Sequence, residues 1–123
     1  MTLAIDPNHV AERYLAAWNE TDAAARKALI EAGWTDRASY VDPLMAAEGR
    51  EAIDGLIAAV HQRFPGHRFS LLGAADGHGD RVRFSWALGA DGAEPIVGGT
   101  DFAMVEPDGR LASVTGFLDK VPG

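Results

Sequence analysis

Apolar residues recur near helical spacing at Val10, Tyr14, Leu15 and Trp18, while Glu12, Arg13 and Asn19 take the other faces. The chain therefore opens with an amphipathic helix, entered at Asp6-Pro7-Asn8 and ending near Glu20 to Thr21. Asp22 caps a second, Ala-rich helix that runs to about Ala32, with Ala25, Ala28 and Leu29 inward and Gly33 as its stop. The two form a helical hairpin. Trp34 to Tyr40 fits either type of structure, but Ser39-Tyr40-Val41-Asp42 reads as extended chain, because the ring of Pro43 disfavours the helical region for Asp42. Ile53, Leu56, Ile57, Val60 and Phe64 then set a third helix from about Glu51 to Arg63, halted by Pro65-Gly66.

The second half changes period. Strands are expected at about His67 to Ala74, Arg81 to Ala90, Pro95 to Glu106 and Leu111 to Leu118. Asp76 to Asp80, Asp91-Gly92 and Pro107-Asp108-Gly109 punctuate them. Val82, Phe84, Trp86 and Leu88 share one side of their strand. Along the next strand, Gly99, Asp101, Ala103 and Val105 alternate with Gly98, Thr100, Phe102 and Met104, and neither set is a plain solvent face. Both faces should be covered, by helices on one side and on the other by a second subunit or the walls of an internal cavity. Gly98-Gly99 fits a bend or bulge.

Composition narrows the functional classes. At 123 residues, with 47% hydrophobic and 24% charged types, residues 1–123 make one domain with an ordinary core. Lys plus Arg is 11 against 18 for Asp plus Glu, a net charge of −7 that argues against nucleic acid as a partner. Without cysteine there is no disulfide or thiolate chemistry, and any metal would depend on His and carboxylates. Met1 to Asp6 lacks a basic patch followed by an apolar run, and no stretch approaches the roughly 18 apolar residues of a membrane helix. The expectation is a soluble cytoplasmic protein with no membrane partner.

Three polar residues stand in apolar surroundings. Tyr14, between Val10 and Trp18, is either a core aromatic with its hydroxyl at the surface or a buried phenol. With an ordinary pKa near ~10 such a phenol stays neutral and can stabilise an oxyanion. Asp42 is either a turn carboxylate binding local amides or a general base on fixed backbone. Asp101, inside Val97-Gly98-Gly99-Thr100-Asp101-Phe102-Ala103-Met104-Val105, is expensive to bury unpaired. It forms a salt bridge with Arg81, Arg83 or Arg110, contacts another protein, or is a protonated acid that donates a hydrogen bond. Taken together, the three make a site in which Asp42 removes a proton next to a carbonyl and Tyr14 and Asp101 hold the enolate, without metal or cofactor.

Those residues resemble the nuclear transport factor 2-like fold and, within it, the ketosteroid isomerase and polyketide cyclase relatives often called SnoaL-like. The likeness runs from Asn8 to Leu118 and rests on Arg13-Tyr14-Leu15-Ala16-Ala17-Trp18-Asn19, Asp42-Pro43, Gly49-Arg50-Glu51-Ala52-Ile53 and Asp101. Phe102-Ala103 replaces the usual His-Phe neighbours of the acid. Ketosteroid isomerase is the type case for this acid, base and phenol chemistry, so the catalytic roles of Tyr14, Asp42 and Asp101 are inherited through the resemblance. It implies an α+β, cone-shaped fold, with three N-terminal helices packed on a strongly curved, mixed and mainly antiparallel sheet. It also implies a pocket for a small apolar organic ligand, walled by Trp18, Trp34, Val60, Phe84, Trp86, Ala103 and Phe117, while the Phe and Met residues of the exposed sheet face lead to the expectation of a homodimer through it. Trp34, Trp86 and the Glu31 to Asp36 insertion would reshape that pocket, and the second tyrosines that support the phenol in some isomerases have no obvious counterpart here, Tyr40 being the only other tyrosine.

Other chemistry has less support. The spacing of the four histidines imposes no metal site, although His61 is the next choice as a base after Asp42. There is no serine elbow, phosphate-binding loop or dinucleotide fingerprint. Three classes remain: a cofactor-free isomerase or cyclase acting on an apolar carbonyl compound, an epoxide hydrolase-like enzyme, and a non-catalytic binding or dimerisation module.

Overall fold

The structure is a computed structural model and describes residues 5–122. Most of the Met1 to Asp6 segment read above lies outside the described residues. The elements are α1 (Pro7–Asn19), α2 (Ala23–Gly33), β1 (Trp34–Val41), β2 (Ala46–Glu48), α3 (Arg50–Arg63), β3 (His67–His78), β4 (Arg81–Ala90), β5 (Val97–Val105) and β6 (Leu111–Lys120). The strands form one sheet in the order β2-β1-β6-β5-β4-β3. All neighbours are antiparallel except β1 and β6, which the chain joins through α3 and the hairpins. The sheet is curled, and the fold is the expected α+β, nuclear transport factor 2-like arrangement.

Local chemistry sets the helix ends. Asp6 caps α1 by accepting from the Asn8 and His9 amides, at 3.0 and 3.5 Å. At the other end of α1, the Asn19 amide donates to Phe69 O at 2.9 Å and accepts from Phe69 N at 2.7 Å, so one side chain takes the place of a neighbouring strand and fixes α1 on β3. Asp22 accepts from Ala25 N at 2.8 Å, as its capping role requires. Arg50 donates to Trp34 O and Glu31 O, satisfying carbonyls that the end of α2 leaves open.

The inward face of α2 departs from the sequence expectation. Ala28 and Leu29 are exposed and Ala25 is half-buried, whereas Arg26 and Ile30 are buried. Methyl groups bury too little area to orient a helix, and the polar contacts of Arg26 decide instead. Its Nε donates to Asp54 Oδ1 on α3 at 2.6 Å and its Nη1 to Glu20 O at 3.1 Å. β3 also runs past the expected Ala74 to His78, because its pairing with β4 resumes at Asp76 after an irregularity beyond Leu72. β2 is a further strand that the sequence pattern does not announce.

The alternation on β4 and β5 holds. Val82, Phe84, Trp86 and Leu88 are buried, as are Val97, Gly99, Asp101, Ala103 and Val105. A register shift in the pairing with β6 falls between Gly98 and Gly99, where the glycine pair suggested a bend. Gly99 faces Trp86 across the ladder, and a Cβ there would stand 2.4 Å from the indole ring. Only glycine lets Trp86 lie across the strand, and the indole in turn forms a wall of the sheet's concave side.

Candidate functional site

A cavity of about 660 Å³ opens between the helices and the concave face of the sheet. Tyr14, Trp18, Tyr40, Phe69, Trp86 and Leu88 line it, with Asp42 and Asp101 as its two acids. Leu44, Val121 and Pro122 are exposed at its rim. A volume in this range suits a small organic molecule, and the wall is chiefly apolar and aromatic. The rings brace one another: Tyr14 lies 5.1 Å from Phe84, Trp18 lies 5.5 Å from both Tyr40 and Phe69, and Phe69 lies 5.2 Å from Trp86, measured between centroids.

Asp101 occupies the middle of β5 and is 1% exposed. None of the three arginines considered for it is its partner: Arg81 pairs with Asp80, Arg83 with Asp76 and Arg110 with Asp108. Its Oδ1 has no hydrogen-bond partner among the described residues. Burial pushes the carboxyl up to about 6, against the pull of the nearby Tyr14 hydroxyl and Trp86 indole, which favour the charged form. Room for the group comes from across the ladder. Asp101 pairs with Gly116 of β6, where a Cβ would stand 2.9 Å from Asp101 Oδ1, 3.2 Å from Asp42 Cβ and 3.3 Å from Tyr40 Oη. The two carboxylates and a phenol thus crowd around one missing side chain.

Asp42 follows β1 directly. Its Oδ1 accepts from Leu44 N at 2.8 Å and Met45 N at 3.0 Å, and its Oδ2 accepts from Tyr40 Oη at 2.6 Å. Both sequence readings of Asp42 are therefore compatible with its position: one oxygen closes a turn and the other faces the cavity group. Tyr14 is fully buried, and its phenol is raised well above the ordinary value, first by burial and then by the charge of Asp101. Tyr40 is raised by the same causes, with its hydrogen bond to Asp42 adding to them. Both phenols are neutral donors at any working pH.

The sequence pattern assigned Tyr40 no role in the site, although its spacing from Asp42 carries the signal. Residues two apart on an extended strand point the same way, so Tyr40 and Asp42 share a face. Of the expected wall residues, Trp18, Val60 and Trp86 line the cavity. Trp34, Phe84 and Ala103 sit in the core behind it, and Phe117 is 56% exposed on the outer side of β6. His61 does not reach the acids; its Nε2 meets Trp18 O at 2.6 Å and ties α3 to α1. No group of three or more potential metal ligands occurs among the described residues. No helix there is long and apolar enough to cross a membrane.

The SnoaL-like domain model matches residues 11–114, which include Tyr14, Asp42 and Asp101. The chain belongs to the SnoaL-like family. Its fold is similar to that of a candidate isomerase of this family from Agrobacterium tumefaciens strain C58, with 46% identity over 90% of this chain and 95% of that one and a TM-score of 0.86. More distant structures share the fold alone. A SnoaL-like protein from Jannaschia sp. CCS1, named as a candidate polyketide cyclase, is 17% identical over 97% of this chain and 91% of its own, with a TM-score of 0.69. A protein of ketosteroid isomerase-like fold from Catenulispora acidiphila, solved with trimethylamine, is 22% identical over 87% and 82% of the two chains, with a TM-score of 0.70. No curated protein matches this SnoaL-like chain.

Proposed function

We propose that this SnoaL-like protein is a cofactor-free isomerase or cyclase-type enzyme acting on a small apolar carbonyl compound. The observation that carries the proposal is the meeting of Asp42, Tyr40, Tyr14 and an Asp101 without a cationic partner in one apolar cavity. Asp42 is the base. Its Oδ2 keeps one lone pair after accepting from Tyr40, and that pair takes a proton from the carbon next to the substrate carbonyl. The electrons of the broken C–H bond move into the carbonyl oxygen, where Tyr14 and protonated Asp101 donate hydrogen bonds to the enolate. Asp42 then returns the proton to a different carbon, so a β,γ-unsaturated ketone becomes its conjugated isomer with no net gain or loss of electrons.

Asp101 holds its proton below pH about 6 in the free protein. An apolar ligand filling the cavity completes its desolvation and raises that value further, so the acid enters the reaction neutral. The test is a screen of β,γ-unsaturated ketones for conversion, wild type against Asp42→Asn. Conversion by the wild type that Asp42→Asn loses supports the reading, and equal rates remove Asp42 from the mechanism. Ligand binding that survives Asp101→Asn, with turnover in neither protein, supports the non-catalytic module instead.

The same reading includes a homodimer through the outer sheet face, supported by exposed Phe102 and Phe117 on neighbouring strands. Sedimentation at micromolar concentration should find a dimer, and a monomer alone would contradict it.

A further inference from the structure

We infer that the ligand of this cavity is amphipathic, with an apolar carbonyl-bearing end that enters first and a carboxylate at its far end that Arg63 receives at the rim. The inference rests on the cavity being a ligand site and adds the chemistry of the ligand's outer end. Among the described residues that line the cavity, Arg63 is the only Lys or Arg. It is exposed in the last turn of α3, and its guanidinium carbon stands 5.6 Å from the ring centroid of Phe64, itself part of the wall. The ring face gives the cation a resting place at the opening.

Five other arginines, Arg26, Arg50, Arg81, Arg83 and Arg110, are each paired with an aspartate. Arg63 makes no such pair among the described residues. A guanidinium offers a planar fork of donors that fits a carboxylate, and here that fork is uncommitted. Asp101 of the cavity wall is buried, whereas Arg63 is exposed. An anionic group is therefore disfavoured beside buried Asp101 and attracted to exposed Arg63, which sets the direction in which a ligand enters. The net charge of −7 makes general attraction of anions a poor alternative, so any preference must be local.

Calorimetry with γ-benzoylbutyrate and its primary amide, an apolar ketone with and without the terminal charge, tests this directly. Wild type should bind the carboxylate about fivefold more tightly at low ionic strength, as one exposed charge contact allows, and added salt should shrink the preference. Arg63→Gln should bind both compounds alike, and Arg63→Lys should keep part of the preference. Equal affinities in the wild type, an undiminished preference in Arg63→Gln, or binding of neither compound would overturn the inference. Failure of the isomerase reading looks different: the carboxylate preference would stand in a wild type that converts no unsaturated ketone, and would persist in Asp42→Asn.

Discussion

The end of β1 and the middle of β5 each deliver an aspartate to the same cavity and treat it differently. At the end of β1 the chain turns, so Asp42 remains partly solvated and meets two backbone amides and the Tyr40 hydroxyl. In β5 the backbone amides are consumed by the ladders on either side, and Asp101 is left with a buried, unpaired oxygen and a raised affinity for its proton. Identical side chains thus meet opposite surroundings, one supplied with hydrogen-bond donors and the other pushed toward neutrality by burial. A reaction that needs a base and an acid at the same pH can draw both from one residue type.

The sharpest way to break this division is to remove each carboxylate's charge in turn. Asp42→Asn should lower turnover about 100- to 10,000-fold, the usual contribution of a general base, while circular dichroism shows an unchanged fold. Asp101→Asn should divide function from stability. Because the folded carboxyl titrates near 6 and an unfolded one near 3.8, the folded state binds the extra proton between those values. Stability contributed by protonated Asp101 is complete below about pH 4, falls as pH rises through 6, and is absent above it. Replacing the ionisable group should therefore raise stability at pH 8 by up to about 3 kcal/mol in denaturant titrations, with little gain at pH 4, while turnover falls. For the wild type, kcat/KM should decline as pH rises through about 6, since the donor form is lost.

Smaller changes sharpen the contrast. Gly116→Ala would drive a methyl group into Asp101 Oδ1, and chemical denaturation should register a loss of about 1 to 3 kcal/mol, the range for overpacking. Tyr40→Phe removes the donor from Asp42 Oδ2 while keeping the ring against Trp18. It should cost about 1 kcal/mol in stability by the same measurement and only a modest part of turnover. A larger loss of turnover than Asp42→Asn causes would make Tyr40, not Asp42, the principal group at β1.

Much of this architecture was legible wherever burial follows a strict period. The bounds of β4 and the inward row Val82, Phe84, Trp86 and Leu88 follow from alternation alone. Tyr14, Asp42 and Asp101 stood out because each is polar where the pattern is apolar. What stayed hidden depends on partners far away in sequence. Arg26 is turned inward by Asp54, 28 residues on, which no local pattern records. β2 is three residues with one half-buried side chain, too short for a period. Phe84 and Trp86 share a face, yet the first packs behind Tyr14 and the second reaches the cavity because Gly99 clears space for its ring. Such distinctions arise only when strands are brought side by side.

The account depends most on the state of the carboxyl at position 101. Carbon-13 NMR of the aspartate carboxyls, with Asp101→Asn used to assign the signal, follows that proton directly. The account predicts a midpoint near 6 in the free protein, moving upward when a ketone fills the cavity. A midpoint at the ordinary 3.8 that does not respond to the ketone would contradict it.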